Sequence, residues 1–144
     1  MGKQASRMKF VKFEHVAIHI ATEGIATEDS MQQWFEHLRQ PGIKSHFSAA
    51  DGLLELTPVQ RRACADLAKG LGIRSAVVTN SLIGRGIVTA VSWMGADISA
   101  FSWDNIDKAA EFLRVEESKR AAMAEVVMRA RRELRGPAEM LATG

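Results

Sequence analysis

A short, wholly apolar run near the middle of the chain, Ala76-Val77-Val78, most constrains how this sequence can fold. Side chains that are apolar on both faces of a strand are typical of the centre of a parallel sheet covered by helices. Strand-like and helix-like segments alternate on either side of this run, and such alternation requires crossover connections. The sequence therefore predicts an α/β fold, with a four- to five-stranded mixed or parallel sheet covered by helices.

Helix signals flank the central run. Thr57–Gln60 has the pattern of a capping box with proline at the first helical position, and Gly70 or Gly72 follows at the expected end of that helix. After the run, Asn80 or Ser81 is expected to cap the next helix, because both side chains can accept hydrogen bonds from the first helical N–H groups.

The remaining elements follow from the same kinds of pattern. Residues 8–21 have the alternation of extended structure, either as one strand or as two strands around a turn at Glu14-His15. Thr27 begins a helix that Pro41-Gly42 ends, and Asp104 is expected to cap a later helix. Further strands are predicted over residues 43–49, 75–79 and 98–101.

Composition limits the classes of function. A net charge of +2 is too small to indicate nucleic-acid binding, and no apolar stretch approaches the ~20 residues that span a bilayer. The polar N-terminus lacks the apolar core of a signal peptide, so a cytoplasmic location is expected. Cys64 is the single cysteine, which excludes an internal disulfide, and it is expected to act as a small buried hydrophobe.

Three parts are predicted along the chain: an α/β domain over 8–113, a basic amphipathic helix over 114–136 and a flexible tail over 137–144. The predicted helix has a thin apolar stripe and a charged remainder. It can dock on its own domain, or bind a partner or a second copy as a homo-oligomer. Arg129 and Arg132 are candidates for contact with an acidic surface, although a solvated face explains them as well.

Several stretches resemble the core of bacterial STAS-like (anti-sigma-factor-antagonist) regulatory domains, namely Arg74–Ser81, Arg85–Trp93 and Ile98–Phe101. Leu56–Arg62 is also similar to a segment of small, mostly uncharacterised bacterial relatives of that superfamily. The resemblance covers roughly residues 50–113. It implies a mixed sheet with helices on one side, and a protein–protein interaction module that is often regulated by phosphorylation.

The resemblance also implies a site at the start of the helix after the central strand. The phosphoacceptor of the best-known members lies there in an Asp-x-Ser-Gly type motif, and Ser81 is the nearest candidate here. This chain lacks the preceding aspartate and the glycine directly after the serine. Capping alone also explains Ser81. Thr79, Asn80 and Arg85 are candidate contacts for a partner or an anion.

Each of the other candidate residues has a structural explanation as well as a functional one. Trp93 and Trp103 fit either the core or a protein interface, where tryptophan is enriched. His15, His19 and His46 have no carboxylate or cysteine to complete a metal site, so no metal is expected. No phosphate loop, dinucleotide fingerprint or acid/base pair is recognisable, so neither a cofactor nor an enzymatic activity is expected.

Together these features predict a regulatory module that binds another protein and acts as a phosphorylation-sensitive antagonist or a scaffold. The first alternative is a small-molecule or lipid-binding domain with a pocket between sheet and helices. The second is an enzyme whose site the sequence does not reveal.

Overall fold

Strands and helices alternate along residues 4–143, the part of the chain that this computed structural model describes, with side chains described as far as position 136. The strands are β1 (Met8–Phe13), β2 (Val16–Ala21), β3 (Gly24–Ile25), β4 (Ser45–Ala50), β5 (Leu54–Glu55), β6 (Arg74–Val78) and β7 (Ile98–Phe101). The helices are α1 (Glu28–Leu38), α2 (Pro58–Leu71), α3 (Leu82–Trp93), α4 (Ile106–Phe112) and α5 (Glu117–Thr143).

Five of the strands form one mixed sheet in the order β1-β2-β4-β6-β7. β1 and β2 form an antiparallel hairpin around Glu14-His15, where Glu14 has a φ of 52°, and the other pairs are parallel. This arrangement confirms the predicted single-domain α/β fold. β3 and β5 form a separate two-stranded parallel sheet that the sequence patterns did not predict.

Helices cover both faces of the main sheet. One face carries large apolar side chains such as Ile18 and Phe47, which pack against α4 and α5. The opposite face lies beneath α1, α2 and α3, where Met31 and Trp34 of α1 pack over Ala17 of β2. The STAS-like resemblance implied helices on one side only, so this expectation was wrong. All six residues of β2 are buried, which requires cover on both faces.

The C-terminal helix α5 belongs to the same core. Met123 and Val127 of its apolar stripe are fully buried against the sheet. Nε of Arg131 lies 3.0 and 3.1 Å from the two carboxylate oxygens of Asp51, and the guanidinium carbon lies 4.0 Å from the ring centre of Trp103. The apolar stripe is therefore used within the domain, which leaves no free stripe in the described part of α5 for a second copy.

The end of α5 departs from regular helix geometry at Gly136, where φ is 80° and ψ is 163°. The predicted flexible tail, 137–144, lies outside the residues whose side chains are described, and it stays a prediction. No helix within the described residues combines the length and the hydropathy needed to cross a bilayer.

The predicted helix ends are largely confirmed. Thr57 and Gln60 form both hydrogen bonds of the capping box, and Gly72 ends α2 in the left-handed conformation. Asp104 was wrongly predicted to cap a helix. It lies in a 3-10 turn, Trp103–Asn105, and α4 begins after Asn105. The side chain of Asn80 fixes this turn, because its Oδ1 accepts a hydrogen bond from the Trp103 N–H at 3.1 Å.

Two glycines of α2 provide a matched test of these local rules. An added Cβ would meet nothing within 4 Å at Gly70 or at Gly72, but Gly72 has a φ of +66°. Gly70→Ala is expected to raise the free energy of unfolding by about 0.5–1 kcal/mol, because alanine is the better helix former. Gly72→Ala is expected to lower it by about 1 kcal/mol, because a Cβ strains left-handed backbone. Urea denaturation of both variants measures the difference, and equal effects would contradict the assigned cap.

Candidate ligand-binding pocket

An apolar pocket of about 110 Å³ lies between the main sheet and helices α2 and α3. Leu38 of α1 and Cys64 of α2 line it from the helical side, together with Ile87 and Val91 of α3. Val77 lies on the pocket floor, and it is only partly buried although β6 has strands on both sides. A water-sized molecule can therefore reach an inner strand of the sheet.

The pocket exists because the sheet side chains beneath α2 and α3 are short. Ser48 and Ala50 of β4, with Ser75 of β6, line this face and do not fill the space above the strands. α2 and α3 meet at Ala65 and Val91, which brings the helices together at one end of the pocket. Well-packed interiors contain few spaces of this size. Here the space exists because the side chains on two adjacent strands are short.

At the other end of the pocket the backbone of α3 comes close to the sheet. Gly84 lines the pocket, and a Cβ at this position would lie 3.2 Å from the side chain of Thr79. This close approach explains one glycine of the Gly84-Arg85-Gly86 segment.

A chain of hydrogen bonds joins the pocket floor to α1. The indole Nε1–H of Trp34 donates to Nε2 of His46 at 2.9 Å, and Nδ1 of His46 lies 3.3 Å from Oγ of Ser75. Indole nitrogen is only a donor, so Nε2 of the neutral His46 carries the lone pair and Nδ1 carries the hydrogen. Nδ1–H of His46 therefore donates to the Ser75 hydroxyl.

A second histidine lies beside this chain. The ring of His19 stacks on Trp34 with 4.0 Å between the ring centres, and its Nδ1 lies 2.9 Å from Oγ of Ser48. Nε2 of His19 is buried without a hydrogen-bond partner among the described residues. Buried polar atoms without partners destabilise a fold, so this atom adds to the cost of placing polar groups under the helices.

Burial sets the charge states of these groups. Burial, together with a smaller effect of the neighbouring histidines, lowers the pKa of His46 to about 3 and the pKa of His19 well below its usual value. Both rings are therefore neutral at neutral pH. Burial also raises the pKa of the Cys64 thiol to about 12, so Cys64 lines the pocket as an uncharged thiol.

The residues predicted at the start of α3 fall into two groups. Ser81 is the N-cap, and its Oγ accepts a hydrogen bond from the Gly84 N–H at 3.1 Å. Asn80 and Arg85 are exposed beside it. Thr79 was predicted as a partner or anion contact, but it is buried and lines the pocket, because it directly follows β6 and continues the alternation of Ser75 and Val77 on that face.

The two tryptophans proposed for an interface have different surroundings. Trp93 is 83% exposed at the end of α3, so it stays available to a partner. Trp103 packs within the domain, where its Nε1–H donates to the Ala50 carbonyl at 3.0 Å. Trp103 is only partly buried, so its role at an interface stays a prediction. Arg129 and Arg132 lie exposed on α5, in agreement with either a solvated face or a contact surface.

The histidines do not form a common metal site. His15 lies apart at the hairpin turn, where its Nε2 is 3.0 Å from the Leu113 carbonyl oxygen. Across the described part of the chain, no group of three or more His, Cys, Asp or Glu side chains is arranged to hold a metal ion.

The sequence analysis missed the pocket floor, although a signal for it was present. His46 and Ser48 lie two positions apart in β4, and Ser75 of β6 lies four positions before Thr79, which directly follows that strand. A period of two places each pair on one face of its strand. Only the pairing of β4 with β6 shows that the two faces coincide.

No protein-family model, no curated protein and no solved structure matches this chain. The resemblance to STAS-like domains therefore stays a prediction. The functional conclusions rest on the geometry of the pocket and of the surface around α3.

The buried histidines predict an acid-sensitive fold. Between pH 6.5 and about 3 the unfolded chain binds a proton at His46 that the folded chain does not, so the free energy of unfolding falls as the pH decreases. Each such histidine is expected to contribute about 1.4 kcal/mol of lost stability per pH unit below 6.5. Urea denaturation at pH 7.5 and pH 5.5 measures this change.

The variant His46→Gln provides the comparison, since a glutamine amide can still accept from Trp34 and donate to Ser75. It is expected to lose less stability than the wild type between the two pH values, by about 1.4 kcal/mol. An identical pH dependence in the two proteins would show that His46 is not a buried neutral histidine.

Proposed function

We propose that this protein binds a small, largely apolar molecule in the pocket between the main sheet and helices α2 and α3. The observation that carries the proposal is the apolar cavity of about 110 Å³ that reaches Val77 on the inner strand β6. An apolar cavity of about 150 Å³ is known to hold benzene. The pocket therefore suits a molecule somewhat smaller than benzene, or the end of a longer ligand.

An unfilled pocket has an energetic cost that a ligand would remove. A sealed apolar cavity destabilises a protein by about 24 cal/mol per Å³, which sets an upper limit of about 2–3 kcal/mol for this partly open pocket of about 110 Å³. The lining side chains, such as Ile87 and Val91, lose dispersion contacts on the side that faces the cavity. An apolar ligand restores these contacts and excludes water from the pocket.

The polar groups of the pocket favour binding over covalent chemistry. Both ring nitrogens of His46 are engaged, one by the Trp34 indole and one by the Ser75 hydroxyl. A histidine that acts as a general base needs a free lone pair within reach of the reacting group. The thiol of Cys64 is held in its protonated form, in which it is a poor nucleophile.

The proposal predicts a ligand-dependent rise in melting temperature. A ligand present at about 100 times its Kd raises the free energy of unfolding by about 2.7 kcal/mol, which corresponds to about 5–10 °C for a chain of this length. A panel of small apolar compounds and short-chain lipids, measured by differential scanning fluorimetry, tests this. A flat response across the panel would contradict the proposal.

A pocket-filling variant ties the effect to the site. Val88 lines the pocket and is buried, whereas Val59 is 79% exposed at the start of α2. Val88→Phe is expected to abolish the ligand-dependent rise, because the ring occupies the cavity. Val59→Phe, the same change on the surface, is expected to retain it.

A second candidate is the regulatory protein–protein interaction suggested by the sequence. Leu82 and Ile83, directly after Ser81, are 81% and 66% exposed. Large exposed apolar side chains that lie together often mark interaction sites. A cytoplasmic partner would bind this surface at the start of α3, and a phosphate on Ser81 would change its charge.

The double variant Leu82→Asp/Ile83→Asp tests this candidate. It is expected to lose any partner that co-purifies with the wild-type protein, because charged side chains replace the apolar contacts. Val59→Asp is the matched control on α2, and it is expected to retain the partner. Quantitative mass spectrometry of cross-linked complexes measures the difference, and equal retention by the two variants would exclude this surface.

A further inference from the structure

The polar groups on the pocket floor restrict the chemistry of the ligand further than the size and the apolar lining of the pocket do. Ser75 lies in β6 and Thr79 directly follows that strand, and both residues line the pocket. Each hydroxyl can donate one hydrogen bond and accept others. Which of these capacities the protein itself uses decides what the ligand must provide.

The protein uses the acceptor capacity of both hydroxyls. Oγ of Ser75 accepts from Nδ1–H of His46, whose hydrogen is fixed on Nδ1 by the bond from Trp34. Oγ1 of Thr79 accepts from the backbone N–H of Ser81 at 3.1 Å. Among the described residues, neither the Ser75 hydroxyl nor the Thr79 hydroxyl donates a hydrogen bond to an acceptor. The pocket therefore offers hydrogen-bond donors from its floor.

The charges of the residues that line the pocket also restrict the ligand. None of the described residues that line the pocket is Lys, Arg, Asp or Glu. His46 does not become a cation at neutral pH, because burial lowers its pKa to about 3. An ionised carboxylate or phosphate in this pocket would lose its hydration without gaining an opposite charge, which is strongly unfavourable.

We propose that the ligand is a neutral apolar molecule that carries a hydrogen-bond acceptor, such as a ketone, ester or ether oxygen, and that this oxygen accepts from Ser75 or Thr79. This inference rests on the proposed binding function and names the class of ligand for the same pocket. It excludes free fatty acids and other carboxylates as preferred ligands. The Ser75–His46–Trp34 chain orients one donor and links the bound oxygen to α1.

Three compounds of nearly identical shape separate the components of this proposal. 2-Pentanone has the acceptor and no charge, 2-methyl-1-pentene replaces the oxygen by a methylene group, and butanoate replaces a methyl group by a charged oxygen. Protein-detected NMR titration at pH 7.5 gives a Kd for each compound. The ketone is expected to bind at least about 10-fold more tightly than butanoate, because the carboxylate must be desolvated without a partner.

Single substitutions assign the donor. Ser75→Ala or Thr79→Val is expected to weaken ketone binding about 3- to 10-fold, the value of one net hydrogen bond, and to leave alkene binding unchanged or tighter. Ser99→Ala is the matched control, since Ser99 pairs with Ala76 and lies on the other face of the sheet. It is expected to change neither Kd.

The outcomes distinguish this inference from the proposed function. Butanoate binding within about 3-fold of the ketone overturns the requirement for a neutral ligand, whatever the stability of the variants. Unchanged ketone affinity in both folded variants overturns the hydroxyl contact. If either of these results is obtained but the alkene binds, the proposed apolar binding site is retained and only the proposed class of ligand is wrong. If neither the ketone nor the alkene binds, the proposed function fails as well.

Discussion

The two faces of strand β4 set the organisation of this protein. Successive side chains of a strand point to opposite sides, so Phe47 and Ala49 enter the close-packed core with α4 and α5. His46 and Ser48 necessarily point to the other side, beneath α1, α2 and α3. One side of the sheet is thus filled by large apolar residues, and the other carries short or polar ones. The same alternation that builds the core also creates the space for the pocket.

Burying polar side chains under three helices requires that they bond to one another. The Trp34–His46–Ser75 chain satisfies both nitrogens of one imidazole, and Ser48 satisfies one nitrogen of His19. Such networks are stable only in the neutral state of their histidines, because burial penalises the charged form. The expected acid sensitivity of the fold and the proposed preference for an uncharged ligand therefore have the same physical origin.

The C-terminal helix closes the opposite side of the sheet and leaves the pocket side to the shorter helices. Its buried Met123 and Val127 supply core contacts, and Arg131 joins Asp51 to the ring of Trp103. The ion pair is partly buried and bidentate, a geometry that fixes orientation better than a single surface contact does. The basic residues of α5 therefore have different surroundings. Arg131 is structural, whereas Arg129 and Arg132 remain exposed.

Local signals in the sequence determined the α/β class, the central strand, the caps at Thr27, Thr57 and Ser81, and the end of α2 at Gly72. These features depend on neighbouring residues, so periodicity and capping chemistry suffice to predict them. β3 and β5 were missed because a strand of two residues has no period of its own and exists only through its distant partner.

The candidate site was decided by tertiary structure. The even spacing of His46 and Ser48, and of Ser75 and Thr79, was present in the sequence, but the register that places the four side chains on one face was not. It also did not show that Thr79 faces the pocket instead of a partner, or that Trp103 packs against the domain while Trp93 is exposed. Which side chains share a cavity depends on strand pairing and helix placement, which residues far apart in the chain establish together. The sequence by itself determined the elements, and only their packing determined the pocket.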